Sequence, residues 1–78
     1  MIPAYIQIHE QIKSEIDQKI WKIGERLPSE RDLAEKFQVS RMTLRQAINL
    51  LVEEGVLERR VGSGTFITST RVQEKMRG

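Results

Sequence analysis

Seventy-eight residues make one small domain, of a size that buries roughly 60% of the surface its unfolded chain exposes, so there is room for one core and little else. Cysteine is absent, which excludes disulfide staples and thiolate zinc sites and suits a reducing cytoplasm; the apolar runs are too short to span a bilayer or to form a signal peptide. Thirteen Lys and Arg against eleven Asp and Glu leave a net charge of +2, a small excess that points to nucleic acid only through its distribution.

Ile8, Ile12, Ile16 and Ile20 recur every four residues, with Tyr5 and Ile23 extending the stripe and polar residues between them. That period is one face of an amphipathic helix, predicted over residues 4–19, with Pro3 suited to its first turn. Gly24 and Pro28 stop it from running on. Ser29 followed by Asp32 resembles a capping box: the hydroxyl accepts from a free N–H and the acid sits at the positive end of the helix. A second helix of about two turns follows, ending before Gln38-Val39, with Leu33, Ala34 and Phe37 as its apolar side.

Ser40 offers another N-cap just after Phe37. The third predicted helix carries Leu44, Ile48, Leu51 and Val52 at helical spacing, Ala47 for close approach and Gly55 as its left-handed stop. Beyond it the period changes to two. Leu57, Arg59 and Val61 alternate with Glu58 and Arg60, Gly62-Ser63-Gly64 turns the chain, and residues 65–68 return as a strand. An isolated hairpin is marginal in water, so its apolar members must pack on the helices. The fold class is mainly α with a small β-hairpin, a three-helix winged helix-turn-helix in residues 1–68. Residues 69–78 are polar and read as a linker to a C-terminal domain.

Cations gather in the middle of the chain. Residues 26–50 hold five against three acids, and between Glu35 and Glu53 there is no acid at all, while Lys36, Arg41 and Arg45 fall inside that interval. An uncompensated positive face is the expectation. Two short helices joined by a tight turn, the second opened by a hydroxyl cap, match the helix-turn-helix pattern, whose second helix is narrow enough for the major groove of DNA. Arg41 and Arg45 are four apart and are expected on one face, opposite Leu44, Ile48 and Leu51, with Thr43 and Gln46 flanking them. Arginine there can donate a bidentate pair to guanine, and threonine can meet a thymine methyl or a phosphate. Arg31 and Lys36 on the second helix would sit near the backbone. Gly62 and Gly64 serve the turn, and a tip without side chains can also approach the minor groove closely. Arg59 and Arg60 point to opposite faces of their strand, and Arg60 is the one assigned to DNA.

His9 has neither cysteine nor a clustered carboxylate partner and is expected at the surface, as neither ligand nor base. Tyr5 and Trp21 are expected in packing rather than in base stacking. No constellation for catalysis, a cofactor or a metal is present, so the chain is not read as an enzyme.

Four stretches then carry a resemblance: Pro3-Ala4-Tyr5-Ile6-Gln7-Ile8, Leu27-Pro28-Ser29-Glu30-Arg31-Asp32-Leu33-Ala34, Val39-Ser40-Arg41-Met42-Thr43-Leu44-Arg45-Gln46-Ala47 and Gly62-Ser63-Gly64-Thr65-Phe66-Ile67. Over residues 3–68 the chain resembles the N-terminal domain of GntR-family bacterial repressors, particularly the HutC-like branch. The resemblance implies a winged domain that binds a short inverted repeat of double-stranded DNA as a homodimer, with a C-terminal domain sensing a small-molecule effector. It also implies DNA contacts from Arg31, Ser40, Arg41, Thr43 and Arg45 and a minor-groove wing tip at Gly62 and Gly64. Ser63 stands where many relatives carry Lys or Arg, which implies a less charged wing contact. The resemblance places the protein in the cytoplasm, associated with the nucleoid. Two alternatives remain at this point: a winged helix that binds protein, which would lack steep salt dependence, and the family branch fused to an aminotransferase-like domain.

Overall fold

The computed structural model describes residues 2–68 of the chain. Three helices, α1 (Ala4–Asp17), α2 (Glu30–Phe37) and α3 (Arg41–Glu53), precede an antiparallel hairpin of β1 (Leu57–Arg60) and β2 (Gly64–Ile67). Helix α3 is the hub, packing against α1, α2 and β1. Its Leu44, Ala47, Ile48 and Leu51 are buried against Ile8, Ile12 and Ile16 of α1 and Leu33 and Ala34 of α2. Fully burying an Ile or Leu side chain contributes about 1.5–3 kcal/mol, so this one cluster supplies most of the driving force available to so short a chain.

Each helix ends by the same device. In α1 the Lys19 N–H donates to the Ile16 carbonyl and the Ile20 N–H reaches back to Glu15, with Lys19 at φ 67. In α2 the Gln38 N–H meets Glu35 and the Val39 N–H meets Ala34, with Gln38 at φ 59. In α3 the Gly55 N–H meets Val52 and the Val56 N–H meets Leu51, with Gly55 at φ 81. These paired bonds satisfy the last carbonyls through one left-handed residue. The expected end of the first helix at Lys19 is therefore two residues too far. Ile20 and Ile23, assigned to its apolar stripe, lie beyond the stop and are exposed.

His9 is a second correction, because it is buried, with 4% of its surface exposed. Its Nε2 lies 2.8 Å from Oε1 of Glu54 at the C-terminus of α3, and its Nδ1 is 3.3 Å from Glu10. Tyr5, His9, Ile12 and Ile16 repeat at spacings of four, three and four. That pattern puts His9 on the core-facing side, and a polar partner from α3 is what lets it stay there.

The hairpin is stabilised from both sides. Leu57 and Ile67 pair across it and are both buried against the helices. Along the outer edge of β2, residues 24–27 add a third lane: the Gly24 N–H donates to Ile67, the Ile67 N–H to Glu25 and the Leu27 N–H to Thr65, at 2.7, 3.0 and 2.8 Å. Val61, expected to continue the apolar alternation, instead stands wholly exposed at the tip, because β1 ends at Arg60. The expected linker, residues 69–78, lies outside the described residues.

Candidate nucleic-acid interface

Helix α3 begins with the Ser40 hydroxyl accepting from the Thr43 N–H at 3.0 Å and donating to Thr43 Oγ1 at 2.9 Å. Side chains advance by about 100° per residue along a helix. With Leu44, Ala47, Ile48 and Leu51 inward, the outward pole is shared by Met42, Gln46 and Asn49, all exposed. Arg41 and Arg45 therefore flank the core rather than oppose it as expected. They lean toward α2 and the wing, and Thr43 occupies the other flank.

That lean brings Arg45 to an acid at the start of α2. Its Nε and Nη2 donate to Oε1 of Glu30, the first residue of α2, at 3.2 and 3.1 Å. The other carboxylate oxygen of Glu30 accepts from Nη2 of Arg59 at 3.2 Å, and Nη1 of Arg59 donates to Asn49 Oδ1. Partial burial raises the Glu30 pKa, but the hydrogen bonds and charges of Arg45 and Arg59 outweigh it and hold the carboxyl below its ordinary value. The face expected to be uncompensated is thus partly neutralised by an acid that sits before the acid-free interval. One carboxylate braces α2, α3 and β1 together.

The strand register separates the wing arginines. Arg59 pairs opposite Thr65 on the face that looks at the helices, whereas Glu58, Arg60, Phe66 and Gly64 share the outer face. Arg60 stacks 4.2 Å from the centre of the Phe66 ring and reaches Glu58 at 3.3 Å. Between this wing, the start of α2 and the start of α3 lies an open cleft of about 430 Å³. Among the described residues Arg26, Arg31, Arg41, Arg59 and Arg60 line it, with Glu30 as the one acid, together with Val61, Gly62 and Gly64.

Of the residues singled out in the sequence, Arg31, Arg41, Arg60, Gly62 and Gly64 meet at this cleft, and Arg45 adjoins it through Glu30. Ser63 lies at the exposed tip, where its N–H closes the turn onto the Arg60 carbonyl at 2.9 Å. Gln46 faces a separate depression shared with Tyr5 and Asn49, and Lys36 lies over the Phe37 ring at 5.7 Å, so neither joins the arginine cluster. Arg26, Glu30 and Asn49 were missed. Their contacts span the fold, and only the run of hydrogen bonds between residues 24–27 and β2 brings Arg26 to the wing.

Residues 4–67 match the family of bacterial regulatory proteins, gntR family. The chain belongs to that family. Its fold is the winged helix-turn-helix, and it overlays the DNA-binding domain of AraR crystallised with operator ORX1 at a TM-score of 0.84 and 41% identity, covering 87% of this chain and 82% of that one. A GntR-family transcriptional regulator from Listeria monocytogenes aligns at TM-score 0.83 and 33% identity over 86% and 59% of the two chains. Among similar proteins, the HTH-type transcriptional repressor NagR of Bacillus subtilis is 46% identical over 77 residues, 99% of this chain and 32% of its own length. The uxu operon regulator of Haemophilus influenzae is 41% identical over 67 residues, 86% of this chain and 25% of its own. The chain thus spans about a third, or less, of the curated relatives it matches.

Proposed function

We propose that this gntR-family chain is a sequence-specific DNA-binding transcription regulator, a metabolite-responsive repressor rather than an enzyme. Helix α3 enters the major groove and the glycine tip of the wing approaches the minor groove of a short inverted repeat. The observation that carries this reading is the cleft, where among the described residues five arginines and one acid lie between the opening turn of α3 and a wing tip with two glycines. Helix N-termini present free N–H groups to phosphate, and guanidinium groups read guanine, so both halves of a DNA contact are side by side. AraR domains crystallised with operators share this fold at 41% identity, which supports the same partner here.

In this reading Arg41 and Arg45 contact bases and phosphate. Ser40, Thr43 and Gln46 line the groove-facing turns of α3, and Arg31 and Lys36 meet the backbone from α2. Arg60, Gly62, Ser63 and Gly64 form the wing contact. Residues 1–68 are the DNA unit and residues 69–78 the linker. A C-terminal domain would bind the small-molecule effector and hold two copies on the repeat, a size consistent with the longer relatives. The protein would act in the cytoplasm at the nucleoid; among the described residues no helix is long and apolar enough to cross a membrane.

The test uses duplexes that the chain itself selects from a random pool. Binding should be weak and salt-sensitive, and Arg45→Ala should cost about 1–3 kcal/mol on the selected duplex while relaxing one base preference. Equal losses on selected and random duplexes would reassign Arg45 to phosphate, and wild-type binding that ignores salt would reject the DNA reading.

A further inference from the structure

We propose that Arg26, on the loop before α2, forms with Arg41 and Arg60 a clasp for one backbone phosphodiester of duplex DNA at the base of the wing. The inference rests on the DNA reading above and adds to it a contact outside both the helix-turn-helix and the hairpin tip. Arg26 belongs to the lane added to β2: it bridges to Phe66, so its side chain shares the outer face with Arg60 and Gly64.

Gly64 makes the placement possible. A Cβ built there would lie 3.0 Å from Nε of Arg26 and 3.5 and 3.6 Å from its Cδ and Cγ, so the Arg26 stem runs flat against backbone that bears no side chain. The glycine also holds φ +119, a conformation other residues rarely adopt. A stem held in this way has already lost part of its rotamer freedom, which lowers the entropy cost of fixing the guanidinium on a ligand.

The charge pattern selects the ligand. Arg45 and Arg59 are engaged by Glu30, and Arg60 by Glu58 and the Phe66 ring. Among the described residues Arg26 and Arg41 have no carboxylate within salt-bridge distance, and both line the same open cleft. Two guanidinium groups without acidic partners at an open cleft, beside a third already shared with an aromatic ring, suit a singly charged phosphodiester. The contact would fix the angle of the wing on the duplex and carry no base preference.

The test compares wild type with Arg26→Met, which keeps the stem against Gly64 and removes the charge, and with Arg26→Lys, which restores it. Binding to a selected and to a random duplex is followed by fluorescence anisotropy across a salt series, and folding by thermal melting. Arg26→Met should weaken both duplexes alike, by about tenfold at low salt, and reduce the log-log salt slope by up to about 0.9, the increment for one phosphate. Its melting temperature should stay at the wild-type value, and Arg26→Lys should recover the slope. An unchanged slope, or a loss confined to the selected duplex, overturns the clasp while leaving the DNA reading intact. A wild-type chain with no salt-dependent duplex binding overturns both.

Discussion

Glu30 is the residue on which the orientation of Arg45, the proposed base-reading arginine, depends. A carboxylate near a DNA surface repels phosphate, so its presence is unfavourable for affinity unless it does something else. Here it fixes the Arg45 fork at two nitrogens and ties Arg59 to the same carboxylate. Glu30→Gln should therefore raise or preserve affinity for a random duplex and lower the selected-to-random ratio, by about tenfold if Arg45 reads a guanine. A ratio equal to that of wild type would show that Arg45 finds its place without the brace. The same carboxyl makes an acid-side prediction. Its folded pKa is depressed, so its contribution to stability is fully present above the ordinary value of 4.5 and is lost as pH falls through the lower, folded value. The melting curve of Glu30→Gln should fall less steeply with acidification than that of wild type.

At the scale of elements, sequence pattern was most informative where a single local rule decides. Ser29 and Ser40 cap the helices they were expected to cap, and Gly55 ends α3 with φ 81. The stop before Lys19 was not legible, because lysine does not favour a left-handed backbone and is held there by the bonds of its neighbours, whereas α2 ends before Gln38 as expected. Such a residue costs about 1–2 kcal/mol against glycine's own entropic penalty of about 0.5–1 kcal/mol. Lys19→Gly should accordingly stabilise the fold by about 0.5–1 kcal/mol, read as a rise in denaturation midpoint at unchanged slope. A fall would mean that the Lys19 side chain contributes more than its backbone strain costs. The lane at residues 24–27 was hidden for a different reason. Gly24 and Pro28 mark an irregular stretch, and nothing local states that its N–H groups will find Thr65 and Ile67 some forty residues on.

Across the whole molecule, the core was legible and the electrostatics were not. Ile8, Ile12, Ile16, Leu44, Ile48 and Leu51 are buried as their spacing requires, since helical periodicity and burial are one constraint. Charge pairing obeys no such period. Glu30 neutralises arginines fifteen and twenty-nine residues away, so a chain segment rich in cations became a brace plus a cleft rather than one bare positive face. The same topology hid His9, whose partner Glu54 lies forty-five residues on.

The proposed mode of DNA recognition requires α3 to lie in the major groove with the wing over the adjacent minor groove. Dimethyl sulfate probes both at once, because guanine N7 opens to the major groove and adenine N3 to the minor. On a duplex selected by the chain, guanine N7 should be protected under α3 and adenine N3 protected where the wing tip sits, about half a helical turn away. Bound duplex whose guanine N7 atoms react as in free DNA would contradict the account, whatever the affinity.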